Sequence, residues 1–389
     1  MKLLSMVALS LLAPLGAPVS GAPASAPVEA RAQTIELGTY EAPGDGAAAM
    51  RGRPEGAPLS DEAAGRGEAP GGEVERSLVL RRDRVEPFSA AGVSWAYHRK
   101  IGEVSVAARV LRDGEWTPWQ AVSAFEAADE SAARHTAARS GSELLWFGPS
   151  EGVELAVTAV DGADPERVRL DLIDPGDAPA DRDLVRPEAP RPEAPRIRSR
   201  AGWGADESKM TWKPEYADEL VAITLHHTAT SHDYRPEDVP KIIRSIFHYQ
   251  TVTLEWGDIG YNVLLDRFGR LWEGRAGGLD RPVIGAHAGG FNTRTAGIGM
   301  IGSYTETGVP EDAVDAAARY VAWRFAPHKI DPRGSTKITG GPSSKYQKRV
   351  TITIPRVFPH RRTSATECPG DQGVSALRPI RARAYKRMR

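Results

Sequence analysis

The sequence predicts an all-β, sandwich-like domain followed by an α/β domain. Three observations carry that reading. Between 75 and 174, short runs of alternating apolar residues are separated by turn residues, the pattern of half-buried strands. From 199 to 389, apolar strands alternate with stretches at helical spacing. The linker between them, 175–198, holds Arg186-Pro187-Glu188-Ala189-Pro190 followed at once by Arg191-Pro192-Glu193-Ala194-Pro195. Proline at that density favours extended polyproline II, a semi-rigid spacer expected to hold the two domains apart. With 389 residues and 41% hydrophobic content, the chain has the length for two or three domains with ample cores.

Taken in order, Met1-Lys2, the apolar run Leu3 to Leu15 and the small residues up to Ala24-Ser25-Ala26 fit a signal peptide, 1–26, ending in an A-x-A site. The run is shorter than the ~20 residues a bilayer span needs and is broken by Pro14, so export is expected and a stable membrane span is not. Residues 27–74, rich in Ala, Gly, Pro and Glu, bury too little apolar surface to offset the entropy of ordering and read as a disordered acidic spacer. Thr34 to Tyr40 is the one place in it where a short strand is an option.

In the β domain Val104, Val106, Ala108 and Val110 share a face, Asp113-Gly114 makes a two-residue hairpin turn, and Trp116 and Trp119 follow on the return strand. Val93 to Tyr97, Leu144 to Phe147, Val153 to Val160 and Val168 to Ile173 supply further strands. Gly148-Pro149-Ser150-Glu151-Gly152 matches the G-x-S-x-G nucleophile pattern, but both of its flanks read as strands, so it is a hairpin turn.

In the α/β domain Leu220 to Leu225 is a buried strand that delivers His226 and His227. Ile242, Ile243, Ile246 and Phe247 set a helix over Glu237 to Tyr249, and Tyr261 to Asp266 and Gly269 to Glu273 bracket a tight turn. Ile298 to Ile301 is a short strand flanked by glycines, Pro310 opens a helix, and Val350 to Ile354 feeds a loop carrying His360 and Cys368. The C-terminal stretch reads as a basic helix with a solvated face. Lys plus Arg (50) nearly balances Asp plus Glu (51), which argues against a nucleic-acid-binding protein.

Cys368 is the only cysteine, so it has no internal disulfide partner and is a buried filler, an exposed thiol or a metal ligand. Two imidazoles with one thiolate would make a three-ligand zinc site with the fourth tetrahedral position left to water, the arrangement of a catalytic zinc. Only one of His226 and His227 can reach such a metal, because consecutive strand residues point to opposite faces. The residues alone leave open which one.

Several motifs in order, Ser199-Arg200-Ala201-Gly202-Trp203-Gly204, Leu225-His226-His227-Thr228, Trp256-Gly257-Asp258-Ile259-Gly260-Tyr261-Asn262, Trp272-Glu273-Gly274-Arg275, Gly285-Ala286-His287 and Thr366-Glu367-Cys368-Pro369-Gly370, resemble the peptidoglycan recognition proteins and amidase-type phage lysozymes. These are zinc N-acetylmuramoyl-L-alanine amidases, and the resemblance covers about Ile197 to Ala384. It implies an α/β amidase domain with a central mixed sheet flanked by helices. It implies zinc on His226, His360 and Cys368, catalytic roles for Tyr261 and Thr366, and a groove for peptidoglycan or muropeptides that includes His287, Trp256 and Arg275. The implied reaction is hydrolysis of the amide between the lactyl group of N-acetylmuramic acid and L-alanine. Pro359 and Arg362 depart from the glycine and aspartate that commonly flank the second ligand in this family. The rival reading is a recognition protein that binds muropeptides without cutting them, and members of that kind lack the cysteine that Cys368 supplies here.

Overall fold

The computed structural model describes residues 26–37, 76–96, 101, 104–125, 139–159, 163–182, 195–343 and 345–389. Residues 1–25 of the expected signal peptide, 38–74 of the acidic spacer and 183–194 of the linker lie outside the described residues.

Ten strands build the first unit: β1 (Arg31–Glu36), β2 (Arg76–Arg82), β3 (Phe88–Ala96), β4 (Val104–Arg112), β5 (Glu115–Trp116), β6 (Gln120–Phe125), β7 (Arg139–Ser142), β8 (Leu145–Ser150), β9 (Gly152–Ala159) and β10 (Arg169–Asp174). They run in the order β1-β10-β3-β7-β6-β4-β9-β2, with β8 on β3 and β5 on β4. Strand β6 pairs with β4 along one stretch and with β7 at its end, joining two halves that close over a single core. Val106, Val110, Leu155 and Val157 enter that core from one side and Phe88, Val93, Trp95, Leu170 and Leu172 from the other. Asp113 and Gly114 both take positive φ, 54° and 80°, as the two-residue hairpin requires. Gly148 to Ser150 end β8, Glu151 is the β8–β9 connection and Gly152 opens β9, with no helix after the serine.

One sequence expectation is corrected here. Residues 31–36 are not part of a disordered spacer: β1 pairs antiparallel along its whole length with β10, from Arg31 opposite Asp174 to Glu36 opposite Arg169. Ile35 packs against the core and Thr34 Oγ1 donates to Asp171 Oδ1 at 2.6 Å, enough to hold an edge strand that the surrounding Ala/Gly/Pro composition hides.

The second unit is built on a mixed six-stranded sheet. Its strands are β11 (Ile197–Arg198), β12 (Ala222–His227), β13 (Val263–Leu265), β14 (Leu271–Glu273), β15 (Thr295–Met300) and β18 (Val357–Pro359), in the order β11-β14-β13-β15-β12-β18. Strands β16 (Ser335–Gly340) and β17 (Val350–Pro355) form a separate hairpin. Helices α2 (Glu311–Phe325) and α3 (Asp371–Arg387) cover one face, packing Val314, Val321, Phe325, Leu377 and Ile380 onto Ile223, Leu225, Ile298 and Met300. Helix α1 (Val239–His248) covers the other with Ile242, Ile243 and Ile246, beside Leu264 and Trp272. Pro310 stands just outside α2, which starts at Glu311. Among the described residues, no helix is long and apolar enough to cross a membrane.

The expectation that the linker holds the domains apart is overturned. Tyr249, in the π-helical turn that prolongs α1, runs its ring into the β domain, where the hydroxyl donates to Val93 O at 2.8 Å and Ser142 O at 3.0 Å. Gly92 and Gly141 make this possible, since a Cβ at either would stand within 2.4 and 2.6 Å of Tyr249 atoms. Ala90, Leu144, Trp146 and Ile173 of the β domain join Trp203, Ile246 and Tyr249 in one apolar cluster. Below it the Arg244 guanidinium is buried and satisfied by Asp181, at 3.0 and 2.7 Å, and by the carbonyls of Pro175, Gly176 and Trp203. The start of the linker is thus packed against α1. Its proline content favours extension, but burial of Tyr249 and Arg244 decides where the chain goes.

Because the Tyr249 hydroxyl bridges both units, Tyr249→Phe is expected to lower the unfolding free energy by about 1–3 kcal/mol, the cost of leaving buried acceptors unpaired. Urea unfolding measures it; an unchanged midpoint would mean the two units are not docked through this residue.

Candidate metal centre

The site is set by strand register. Strand β12 pairs in parallel with β18, Leu225 opposite Pro359, so the next residue of each, His226 and His360, leave the sheet side by side with ring centroids 4.4 Å apart. The chain then loops back to Cys368. Arg361 N donates to Cys368 O at 2.9 Å, and the Arg361 guanidinium bonds the Glu367 carbonyl and Asp371, at 2.8 Å, which closes the loop on itself. Gly370, at φ 77°, turns the chain into α3 where a Cβ would lie 2.3 Å from the Tyr304 backbone.

The donor atoms of His226, His360 and Cys368 all lie within 4.8 Å of one another. His226 Nδ1 stands 3.7 Å from Cys368 Sγ. A tetrahedral zinc with ordinary Zn–N and Zn–S bonds has an N···S edge of about 3.6 Å, so the pair is spaced for that ion. Burial pushes the His360 imidazole down to about 3 and holds His226 well below its ordinary value, so both rings are neutral ligands at neutral pH. Burial pushes the Cys368 thiol up, while the His227 N–H, 3.3 Å from Sγ, and the Arg361 charge pull it down. A divalent cation is what would complete the conversion to thiolate.

His227 lies on the opposite face of β12, its Nδ1 accepting from Tyr304 N at 3.2 Å, which settles which histidine of the pair meets His360 and Cys368. His226 Nε2 lies 3.0 Å from His287 Nδ1, and a cation held on Nδ1 would leave the proton on Nε2 to be donated to His287. His287 therefore stands behind His226, buried, and holds the tilt of its ring. The His287 Nε2 has no partner that meets hydrogen-bond geometry among the described residues.

Two glycines of β15 hold the cluster. A Cβ on Gly297 would strike the His287 ring at 2.5 Å, and one on Gly299 would strike the Tyr261 ring at 2.8 Å. Since Gly297 pairs with Thr224 and Gly299 with His226, the two rings lie in a trough beside His226. Tyr261 is 5.4 Å from His226, ring to ring, with the Gln250 side chain as hydrogen-bond partner, and burial holds its phenol well above the ordinary value, so it is a proton donor at neutral pH. Thr366, half-buried, accepts from Cys368 N at 3.2 Å.

Trp256 and Arg275 do not face open space. Trp256 is buried in the apolar cluster under α1, and Arg275 is buried with Nη1 donating to Ile259 O at 3.1 Å, while its backbone N donates to Tyr261 O at 2.8 Å. Both pack beside the Tyr261 loop. Asp258 joins them, held by Arg200 at 3.1 Å and accepting from Ile259 N and Ala276 N. Arg362 donates to Thr353 O at 2.8 Å, out on the β17 backbone.

Sequence reasoning missed Glu143. It sits between β7 and β8 of the β domain, and with Leu144 it lines a cavity of about 10 Å³ shared with Thr228, Ile246, Tyr249, Gln250 and Tyr261. Burial alone pushes its carboxyl from 4.5 up to about 8.

Two neutral histidines from the ends of adjacent parallel strands and a cysteine from the loop that follows make a candidate metal site on a rigid sheet. Comparison with known proteins identifies the kind. Residues 217–371 match the family model of N-acetylmuramoyl-L-alanine amidase, and residues 47–191 match that of the Rv3811 N-terminal galactose-binding domain-like family. Peptidoglycan-recognition protein SC1a of Drosophila melanogaster is 30% identical over 172 residues, 44% of this chain and 78% of that protein. Peptidoglycan-recognition protein LB of the same organism is 28% identical over 176 residues, 45% of this chain and 64% of that one. The solved wild-type Drosophila PGRP-LB structure shows 26% identity and a TM-score of 0.37, covering 47% of this chain and 92% of that one. The chain belongs to the peptidoglycan-recognition protein family.

The Glu143 carboxyl yields a signed pH dependence. A carboxyl whose folded pKa is raised favours the folded state fully below about 4.5 and loses that contribution as pH rises towards 8. In the metal-free protein, wild type should therefore lose melting temperature relative to Glu143→Gln across that window. Parallel melting curves from pH 4.5 to 8 would show instead that the carboxyl is solvated.

Proposed function

We propose that the chain is a zinc-dependent N-acetylmuramoyl-L-alanine amidase that hydrolyses the amide joining the lactyl group of N-acetylmuramic acid to L-alanine in peptidoglycan or its muropeptides. It acts outside the cytoplasm, as the signal-like stretch 1–26 supports. The observation that carries the reading is the convergence of His226, His360 and Cys368 within 4.8 Å, with the Tyr261 phenol beside them. Three protein ligands leave a tetrahedral ion one open position, which a closed structural site would not have.

Bound there, zinc supplies a Lewis acid and a water acidified to a pKa of about 7. The chain's own groups do the rest. The scissile carbonyl approaches from the side of His360 and Thr366, the two partly accessible members of the site. The phenol of Tyr261, protonated at neutral pH, donates to the carbonyl oxygen as negative charge develops on it, and the Thr366 hydroxyl adds a second donor. His287 holds the His226 ring at one tilt, and Arg361 keeps the loop between His360 and Cys368 closed, so the donors need no rearrangement when charge develops.

Tyr261→Phe keeps ring and trough and removes only the donor, so kcat on a soluble muropeptide should fall by about 10²–10³ with KM nearly unchanged. Cys368→Ala should lose stoichiometric zinc by elemental analysis and all hydrolysis. Full turnover in Tyr261→Phe would reduce that residue to packing, and full activity in Cys368→Ala would defeat the zinc reading.

A further inference from the structure

We propose that the β domain is an autoinhibitory cap on the amidase cleft. Its β7–β8 turn, with Leu144 at the contact, fills space that a muropeptide must enter to reach the Tyr261 phenol, and the turn must withdraw for substrate to bind. The inference rests on the amidase reading, which makes that phenol a group the substrate touches.

The phenol is covered. Tyr261 is 6% exposed, and His226 and Cys368 are buried as well, which leaves His360 and Thr366 as the partly accessible members of the site. Part of the cover comes from the other unit. Leu144, 4% exposed, and Trp146 lie in one apolar cluster with Tyr261 and Ile246. Beside Tyr261 is a cavity of about 10 Å³, room for about one water, with Thr228, Ile246 and Gln250 on the amidase side and Glu143 and Leu144 as its β-domain wall. Without that wall the same residues would line an open cleft beside the phenol. A tyrosine that served only the fold would gain from such a cover. A phenol that must come within hydrogen-bond distance of a substrate oxygen cannot work beneath it.

The cap is latched at named contacts. The Tyr249 hydroxyl donates to Ser142 O, immediately before the turn, and to Val93 O. Ser142 Oγ donates to Glu143 O at 2.9 Å and accepts from Val93 N at 3.1 Å, which braces the turn. Arg139 N, at the start of β7, donates across the interface to Leu254 O at 3.2 Å. The Tyr249 ring lies on Gly92, where the three atoms nearest to an added Cβ, at 2.4, 2.6 and 2.8 Å, all belong to that ring. One methyl at Gly92 would therefore strike the latch and little else.

The chain between the units is long enough for a cap that moves. Its two Arg-Pro-Glu-Ala-Pro repeats alone are ten residues, which can span up to about 33 Å, so the turn can withdraw while the units stay joined. A site that is open for only a fraction of the time binds with an affinity reduced by that fraction. The cap thus acts on KM and leaves the chemical step unchanged.

The test uses the full-length, zinc-loaded chain and a soluble muropeptide, comparing wild type with Gly92→Ala, which drives a methyl into the Tyr249 ring, and Leu144→Ala, which shortens the side chain in the contact. Both should lower KM by about 5- to 100-fold with kcat within a few-fold, and lower the calorimetric Kd to match when each is combined with Tyr261→Phe to slow turnover. A KM and Kd unchanged or raised in either folded variant would overturn the inference and make the turn an inert neighbour or part of the binding wall. Hydrogen exchange read by mass spectrometry gives a second answer that needs no interface variant. In the zinc-loaded Tyr261→Phe chain, saturating muropeptide should speed exchange over residues 139–146, as the Arg139 N–H and the turn are released. Exchange there that is unchanged or slowed would mean that substrate binds with the cap in place, which also overturns it. Faster exchange without hydrolysis by wild type would leave the cap standing and defeat the amidase reading instead.

Discussion

The parallel pairing of β12 with β18 is the constraint on which the site depends. Leu225 opposite Pro359 fixes His226 beside His360, and a slip of one residue would send His226 to the face covered by α2 and α3 and His227 to the site. The pairing of β12 with β15 on its other side matters as much, because it sets Gly297 and Gly299 under the His287 and Tyr261 rings. Burial of Ile223, Leu225, Ile298 and Met300 under α2 and α3 holds both registers. The chemistry of the site is therefore backed by the hydrophobic core of the sheet's other face.

The two units form one structure. A Tyr249 ring seated over Gly92 and Gly141, and an Arg244 guanidinium with Asp181 and three carbonyls around it, join the β domain to α1. Both groups are buried, so separating the domains would expose apolar surface and leave polar atoms without partners. The same contact brings Glu143 and Leu144 of the β domain to a small cavity that Tyr261 and Gln250 also line. Docking and site geometry are thus one packing problem, and the interface belongs to the account of function.

Much of the α/β unit was legible in the sequence. Period and punctuation found the strand before His226, the helix with Ile242 and Ile246 and the loop to Cys368, because these elements are held by local patterns. Family motifs named the residues that converge as possible ligands. What local pattern could not carry was tertiary. The linker's prolines speak for extension, and nothing around Tyr249 announces that its ring crosses to another domain. Trp256, Arg275 and His287 stand in motifs, and the fold adds what the motifs do not carry: each is buried beside Tyr261 or His226. Glu143 has no motif, and only the fold brings it to Tyr261. The edge strand at 31–36 overlaps the short strand offered over Thr34 to Tyr40, but the composition of the residues after it hid its start and its pairing with β10.

The central claim is that this centre cuts the lactyl–alanine amide, and mass spectrometry of a purified muropeptide incubated with the zinc-loaded protein in ¹⁸O-labelled water tests it most directly. The account predicts two products: a stem peptide with a free L-alanine amino terminus, and a muramic acid residue whose lactyl carboxylate carries one labelled oxygen. A muropeptide that is bound but recovered whole, or label found at any other bond, would contradict it.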